Sequence, residues 1–253
     1  MEHLIILTIL WSYFTVWYIG TSMVKNSSLI DIAWGLGFVI VSLVTQVLYG
    51  DSTTLIFVLL VGLWGLRLSY HIFLRNWGKP EDFRYTNFRN EWGKSYALRS
   101  YFQLFLLQGL LTYIISLAFF MAQQNTFVSY PLVISGVVVY VIGYLFESIG
   151  DAQLKRHIET SKTKSIIQTG LWKYTRHPNY FGEAVLWWGI FIVALGYGAP
   201  IWTIISPIAI NYFIRYVSGV PLLEKRMEKY PEFVEYATKT AIFIPFINIK
   251  RGN

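Results

Sequence analysis

The chain has 253 residues, of which 55% are hydrophobic and 18% aromatic, with a mean hydropathy of +0.45. This composition excludes an ordinary soluble domain and points to packed helices with the bilayer as solvent. The formal net charge is +7, and the absence of cysteine excludes disulfides, thiolate catalysis and cysteine-ligated metals.

Apolar runs of spanning length, about 17 to 25 residues, predict seven transmembrane helices. In chain order they are Leu4–Val24, Leu29–Leu48, Thr54–Leu74, Tyr101–Ala122, Pro131–Gly150, Tyr180–Leu195 and Ala199–Val217. The first run lacks a basic leader and a small-residue cleavage site, so a retained helix is expected there rather than a signal peptide. No repeat, low-complexity tract or linker divides the chain, which predicts one all-α membrane domain over residues 1–253.

Charge orients this layout, because cytoplasmic loops collect Lys and Arg. The loops after helices one, three and five and the segment after helix seven hold 20 of the 21 basic residues, Lys162, Lys164, Lys250 and Arg251 among them. The loops near Asp51, Gln123–Tyr130 and Gly198 hold none. An N-terminus outside and a C-terminus in the cytoplasm satisfy every loop, which in a bacterium means the cytoplasmic membrane. The basic excess then serves orientation and attraction to the lipid surface, and calls for no nucleic acid.

One basic residue, Arg67, lies inside helix three. A charge at that depth needs a partner, and Asp31 at the start of helix two is the expected one. Tyr70 follows Arg67 by three positions and His71 by four, so Tyr70 is the preferred companion. The cluster fits a structural ion pair and a catalytic group equally. The following loop, "RNWGKPEDFRYTNFRNEWGKSY", mixes charge with aromatics as an interfacial segment or a lid does.

The densest polar chemistry is in "GLWKYTRHPNYFGEAVLWWGIFIVALG", residues 170–196. Pro178 favours an extended His177 and suits a helix's first turn, so a helix is expected to begin there. Its free N–H groups, with Lys173 and Arg176 just upstream, favour phosphate. Asn179 and Glu183 share a face, with Tyr180 beside it, and Glu183 lies about one turn inside the boundary. Anchoring at the interface accounts for Trp187 and Trp188 but not for four polar residues on one turn.

"RHPNYFGE", followed by an apolar run and "LLEKRMEKYPEFVEYATKTAIFIPF", resembles the C-terminal half of the steroid 5-alpha-reductase superfamily (3-oxo-5-alpha-steroid 4-dehydrogenase C-terminal-like). "DIAWGLGF", "LWGLRLSYHIFLRNWGKPEDFRY", "YFQLFLLQG", "FESIGDAQLKRH" and "SGVPLLEK" extend the resemblance, most closely to that superfamily's uncharacterised bacterial branch. The resemblance implies a membrane reductase that binds NADPH between its last three helices and their cytoplasmic loops. By motif position the cofactor residues would be Asp151, Arg176, Asn179, Glu183 and Arg215, joined by His177 and Tyr180, and by Glu224 and Tyr230 in the tail. Residues 131–253 would hold the cofactor, and 1–122 would enclose a lipophilic substrate with a carbonyl-conjugated double bond. Asp31, Arg67 and Tyr70 are candidates for its carbonyl end, although helices two and three do not reproduce the steroid enzymes' glutamate and tyrosine.

Isoprenylcysteine and phospholipid methyltransferases share an Arg-His-Pro helix opening and an acidic tail, so an S-adenosylmethionine-dependent methyltransferase is the alternative. A non-catalytic ligand-binding membrane protein is the third reading. No glycine-rich dinucleotide fingerprint follows a strand, no Gly-x-Ser-x-Gly turn occurs, and His3, His71, His157 and His177 show no metal-ligand spacing.

Overall fold

The computed structural model describes residues 1–125, 127–161 and 165–247; Lys162, Lys164, Lys250 and Arg251 lie outside them. Among the described residues the protein is helical, with one isolated β-bridge between Thr175 and Ala241. Six helical segments are long and apolar enough to cross a membrane. At 1.5 Å per residue, a helix of some 20 residues matches a hydrocarbon core of about 30 Å. Helix α1 (Glu2–Met23) exposes Leu4, Trp11, Val16 and Ile19, and Val47 on α2 (Ile30–Tyr49) is 84% exposed. Apolar side chains facing outward along whole helices are those of a lipid-facing surface.

The chain folds as two compact units. The first comprises residues 1–127 and 197–203. In it α2 packs on α1, on α3 (Leu55–Asn76) and on α6 (Leu107–Ala122), while α1 packs on α6. Gly35 and Gly65 let α2 and α3 touch backbone to backbone: a Cβ on Gly35 would sit 2.5 Å from the Gly65 carbonyl oxygen. Phe14, Phe38, Phe57, Trp64, Phe105 and Phe119 fill the core. The loop after α3 is built rather than open: α4 (Phe83–Trp92) starts on an Asp82 cap and α5 (Tyr96–Ser100) runs through a π-helical turn, Tyr101–Leu106, into α6.

The second unit comprises residues 128–196 and 204–253. Its centre is the pair α7 (Tyr130–Thr160) and α8 (Pro178–Gly196), antiparallel along a seam of glycines: 136, 143 and 150 on α7, and 182, 189 and 196 on α8. A Cβ on Gly143 would lie 2.7 Å from the Gly182 carbonyl oxygen and closer still to the Leu186 amide. The seven-residue spacing keeps each glycine on one seam over four turns.

Three expectations are corrected by the structure. Helix five ends at Thr160 rather than Gly150, because its polar extension is itself helical and carries the Lys155–Glu159 pair one turn apart; Asp151 is therefore a helix residue. The segment predicted as helix seven is a 3₁₀ turn (Ile201–Ile204), α9 (Ile205–Tyr212) and a π-helical turn (Phe213–Val217). Pro200 precedes this segment and Pro207 sits in the first turn of α9, where a missing N–H is tolerated. Two short helices, α10 (Val220–Met227) and α11 (Pro231–Lys239), complete the unit. Trp187, an expected interfacial anchor, is fully buried.

Candidate functional site

The helix opening forms as the sequence predicts, with Pro178 in the first turn of α8. What precedes it is stitched to α7 and to the tail. Gly170, at φ +62°, starts a 3₁₀ turn whose Leu171 amide donates to Gln153 Oε1 (3.0 Å), and Trp172 Nε1 donates to the Gly150 carbonyl (3.1 Å). Thr175 bridges Ala241, the Arg176 amide donates to the Ala241 carbonyl (2.8 Å), and Thr175 Oγ1 donates to the Phe243 carbonyl (2.8 Å). The Tyr236 hydroxyl, on α11, donates to the Trp172 carbonyl.

Inside this wrapping, Arg176 and Glu224 meet as a fork: Nε donates to Oε1 (3.0 Å) and Nη2 to Oε2 (2.7 Å). Arg176 Nη1 donates to the carbonyls of Ala237 (2.7 Å) and Thr240 (3.0 Å), and His177 Nε2 lies 2.8 Å from Glu224 Oε1. Arg176 and His177 are buried. Burial alone would raise the Glu224 carboxyl, but hydrogen bonds from His177 and Arg176 and the charge of Arg176 outweigh it and hold it below the usual carboxylate value. Burial drives His177 below the usual imidazole value; Glu224 opposes this, and the charges of Arg176 and Arg215 reinforce it. His177 is thus neutral near pH 7, with its Nε2 proton directed at Glu224. Tyr180 stacks on its ring at 5.7 Å.

One turn further, Asn179 Nδ2 donates to Asp151 Oδ1 (3.0 Å) across the glycine seam, where Gly150 lets the Asn179 backbone approach. The amide's other end, Asn179 Oδ1, is buried with no hydrogen-bond partner among the described residues. Glu183 and, on α7, Glu147 are buried on the same helix pair. Beneath α10 opens a cleft of about 300 Å³, lined by Arg215, Val220, Pro221, Glu224, Lys225, Glu228 and Ile242. Neither Arg215 nor Lys225 is in an ion pair among the described residues.

The fold therefore gathers Arg176, His177, Tyr180 and Glu224 into one cluster, pairs Asn179 with Asp151, and sets Arg215 beside Glu224. Tyr230 stands apart at the start of α11 with its ring under the Lys229 ammonium. The sequence reading missed Lys225, Gln153, Trp172 and Tyr236. Tyr236 carried a signal, since it follows Phe233 by three positions on the apolar face of α11.

In the first unit, Asp31 does not neutralise Arg67. Its carboxylate accepts from Arg84 Nη2 (2.6 Å) and the Tyr85 hydroxyl (2.6 Å), with Asp82 holding Arg84 Nε (2.9 Å). The loop helix α4 reaches Asp31 at the mouth of α2, a partner that helix-surface spacing could not reveal. Arg67 is half-buried, His71 is half-buried, and Tyr70 is 64% exposed. Among the described residues no group of three or more His, Asp or Glu could hold a metal ion.

These features define a helical membrane protein whose polar chemistry concentrates where α8 opens and where α4 meets α2. Residues 16–240 match the family described as protein of unknown function (DUF1295), and the chain belongs to that family. It is similar to an uncharacterized protein of Schizosaccharomyces pombe, 23% identical over 94% of this chain and 76% of that one. No solved structure matches it.

Proposed function

We propose that the protein is an NADPH-dependent reductase of a lipophilic substrate with a carbonyl-conjugated double bond, resembling the steroid 5-alpha-reductases. The observation that carries this reading is Asn179: its Nδ2 is fixed by Asp151 while its Oδ1 is buried without a hydrogen-bond partner, in the unit that also carries the Arg215–Lys225 cleft. A buried amide oxygen suits a carboxamide or ribose donor, and two cations outside ion pairs suit phosphate. About 300 Å³ is at the lower end of ligand pockets and fits one phosphate-bearing end of a dinucleotide. Arg176 fits less well, because four of its hydrogen bonds go to the protein itself; its part is to fix the tail that carries Glu224 and Lys225.

NADPH, when bound, supplies a hydride. Arg215 and Lys225 would hold its phosphates, and Asn179, oriented by Asp151, its carboxamide or a ribose. Reduction also needs a proton held at the substrate's carbonyl oxygen. In the first unit Asp31 is committed to Arg84 and to the Tyr85 hydroxyl and Tyr70 is exposed, so neither is assigned to that oxygen. Seven spans, counting Ile201–Val217 as a short one, with the C-terminus in the cytoplasm would put all loop cations on the side where the dinucleotide is found.

The test is a calorimetric titration of the purified protein with NADPH, NADH and S-adenosylmethionine. Saturable NADPH binding, weakened about ten- to hundredfold by Arg215→Gln or Lys225→Gln, is expected, since a charge-assisted bond contributes roughly 1.5–3 kcal/mol. Binding of S-adenosylmethionine alone would replace this reading with a methyltransferase. Silence from all three would favour a non-catalytic ligand-binding protein.

A further inference from the structure

The described tail beyond α11 includes a turn whose chemistry is out of place in water. Ile247 N donates to the Ile244 carbonyl (3.2 Å), with Pro245 and Phe246 between them and Phe246 at φ +67°. That bond and that φ are those of a type II turn, whose third position favours glycine or asparagine. Here it holds phenylalanine in a left-handed backbone that L side chains avoid. The ring gains little from the protein in return: it is 78% exposed, touching Tyr174 at 4.7 Å between centroids. Ile244, Ile247 and Tyr174 beside it are also exposed, the first two about half.

The depth of this turn follows from its attachments. Phe246 N donates to the Tyr174 carbonyl (3.3 Å), four residues before α8 begins, and the Phe243 ring packs edge-on against Phe181 at 6.0 Å. Phe181 lies in the first turn of a candidate membrane span. The tail strap therefore sits at the level where α8 enters the bilayer, with Phe246 on its outer side. Lys173 is exposed next to Tyr174, its ammonium 6.0 Å from that ring. Aromatic and aliphatic side chains beside a cation at a membrane boundary match the headgroup region of an anionic leaflet.

The geometry points to the segment Ala241–Ile247 as an interfacial membrane anchor, with Phe246, Ile244 and Ile247 seated among the lipid headgroups and upper acyl chains. The same strap bonds Thr175 and Arg176, so the bilayer would hold the helix opening closed from outside while Glu224 holds it from within. This inference needs only the membrane setting and is independent of the reaction the site performs.

Because the chain has no cysteine, single labels report cleanly. Phe246→Cys, Ile247→Cys and, as an exposed control on α11, Glu232→Cys are each labelled with an environment-sensitive fluorophore. The proteins are reconstituted in phosphatidylcholine vesicles with and without phosphatidylglycerol. Labels at 246 and 247 should emit at shorter wavelength than at 232, lose most of their emission to nitroxide near the top of the acyl chain, and resist aqueous iodide. Ile247→Cys keeps the native turn, so a misfolded Phe246→Cys tail would not mask the result. Iodide quenching at both positions equal to that at 232 would overturn the anchor. Shielding that appears only at high protein-to-lipid ratio would overturn it in favour of contact between copies of the chain.

Discussion

Replacing Arg176 with alanine should unfold the second unit's tail before it affects any ligand. Four hydrogen bonds end on Arg176, two of them on a carboxylate whose side chain is 12% exposed against 9% for the arginine. Removing the arginine leaves Glu224 with His177 alone and two carbonyls without the donors Arg176 gave them, a loss of about 3–5 kcal/mol. Glu224→Gln keeps an oxygen for Arg176 and should cost less, about 1–3 kcal/mol. The double variant Arg176→Ala/Glu224→Gln should be no worse than Arg176→Ala alone, because the residues share their interaction. Thermal and denaturant unfolding in one detergent, followed by the intensity of Trp172, would measure the cycle once that signal is isolated by Trp172→Phe subtraction. An Arg176→Ala protein with an unchanged midpoint but weakened NADPH binding would refute this reasoning and make Arg176 a ligand residue, as motif position alone implies.

Acid should weaken the same cluster. The folded His177 lies below its unfolded value of about 6.5 and Glu224 below about 4.3. The unfolded chain therefore binds more protons, so both contributions are fully present at neutral pH and above, and both are lost as pH falls. A midpoint that drops from about pH 6.5 downward, with a shallower slope in His177→Gln, is expected from thermal scans; stability rising on acidification would contradict it. At the glycine seam, Gly143→Ala puts a Cβ 2.7 Å from a carbonyl oxygen, so α7 and α8 must part and stability should fall by about 1–3 kcal/mol. Gly62→Ala, with nothing within 4 Å, should stay neutral or gain up to about 1 kcal/mol, and equal losses for the two would sink the close-packing account. Tyr85→Phe removes a donor to the mostly buried Asp31 carboxylate and should lower stability by about 1–3 kcal/mol, whereas an unchanged thermal midpoint would remove that bond from the account of how α4 docks on α2.

The membrane setting and the long apolar helices were legible in the sequence. Apolar runs of bilayer length need no partner to be recognised, since each satisfies its own backbone hydrogen bonds. The sequence also located the opening of α8, because proline's fixed φ acts locally. Tertiary structure decided which charges meet. Asp31 pairs with Arg84 rather than Arg67 because the loop after α3 folds into a helix that returns to α2. Arg176 is committed to Glu224 because the tail returns across 48 residues to wrap it. Neither contact is encoded in spacing along one helix, the range over which side-chain periodicity carries information. The glycine seam was visible as letters but not as a contact, since glycines seven apart become a constraint only when a second helix presents its own at the same height.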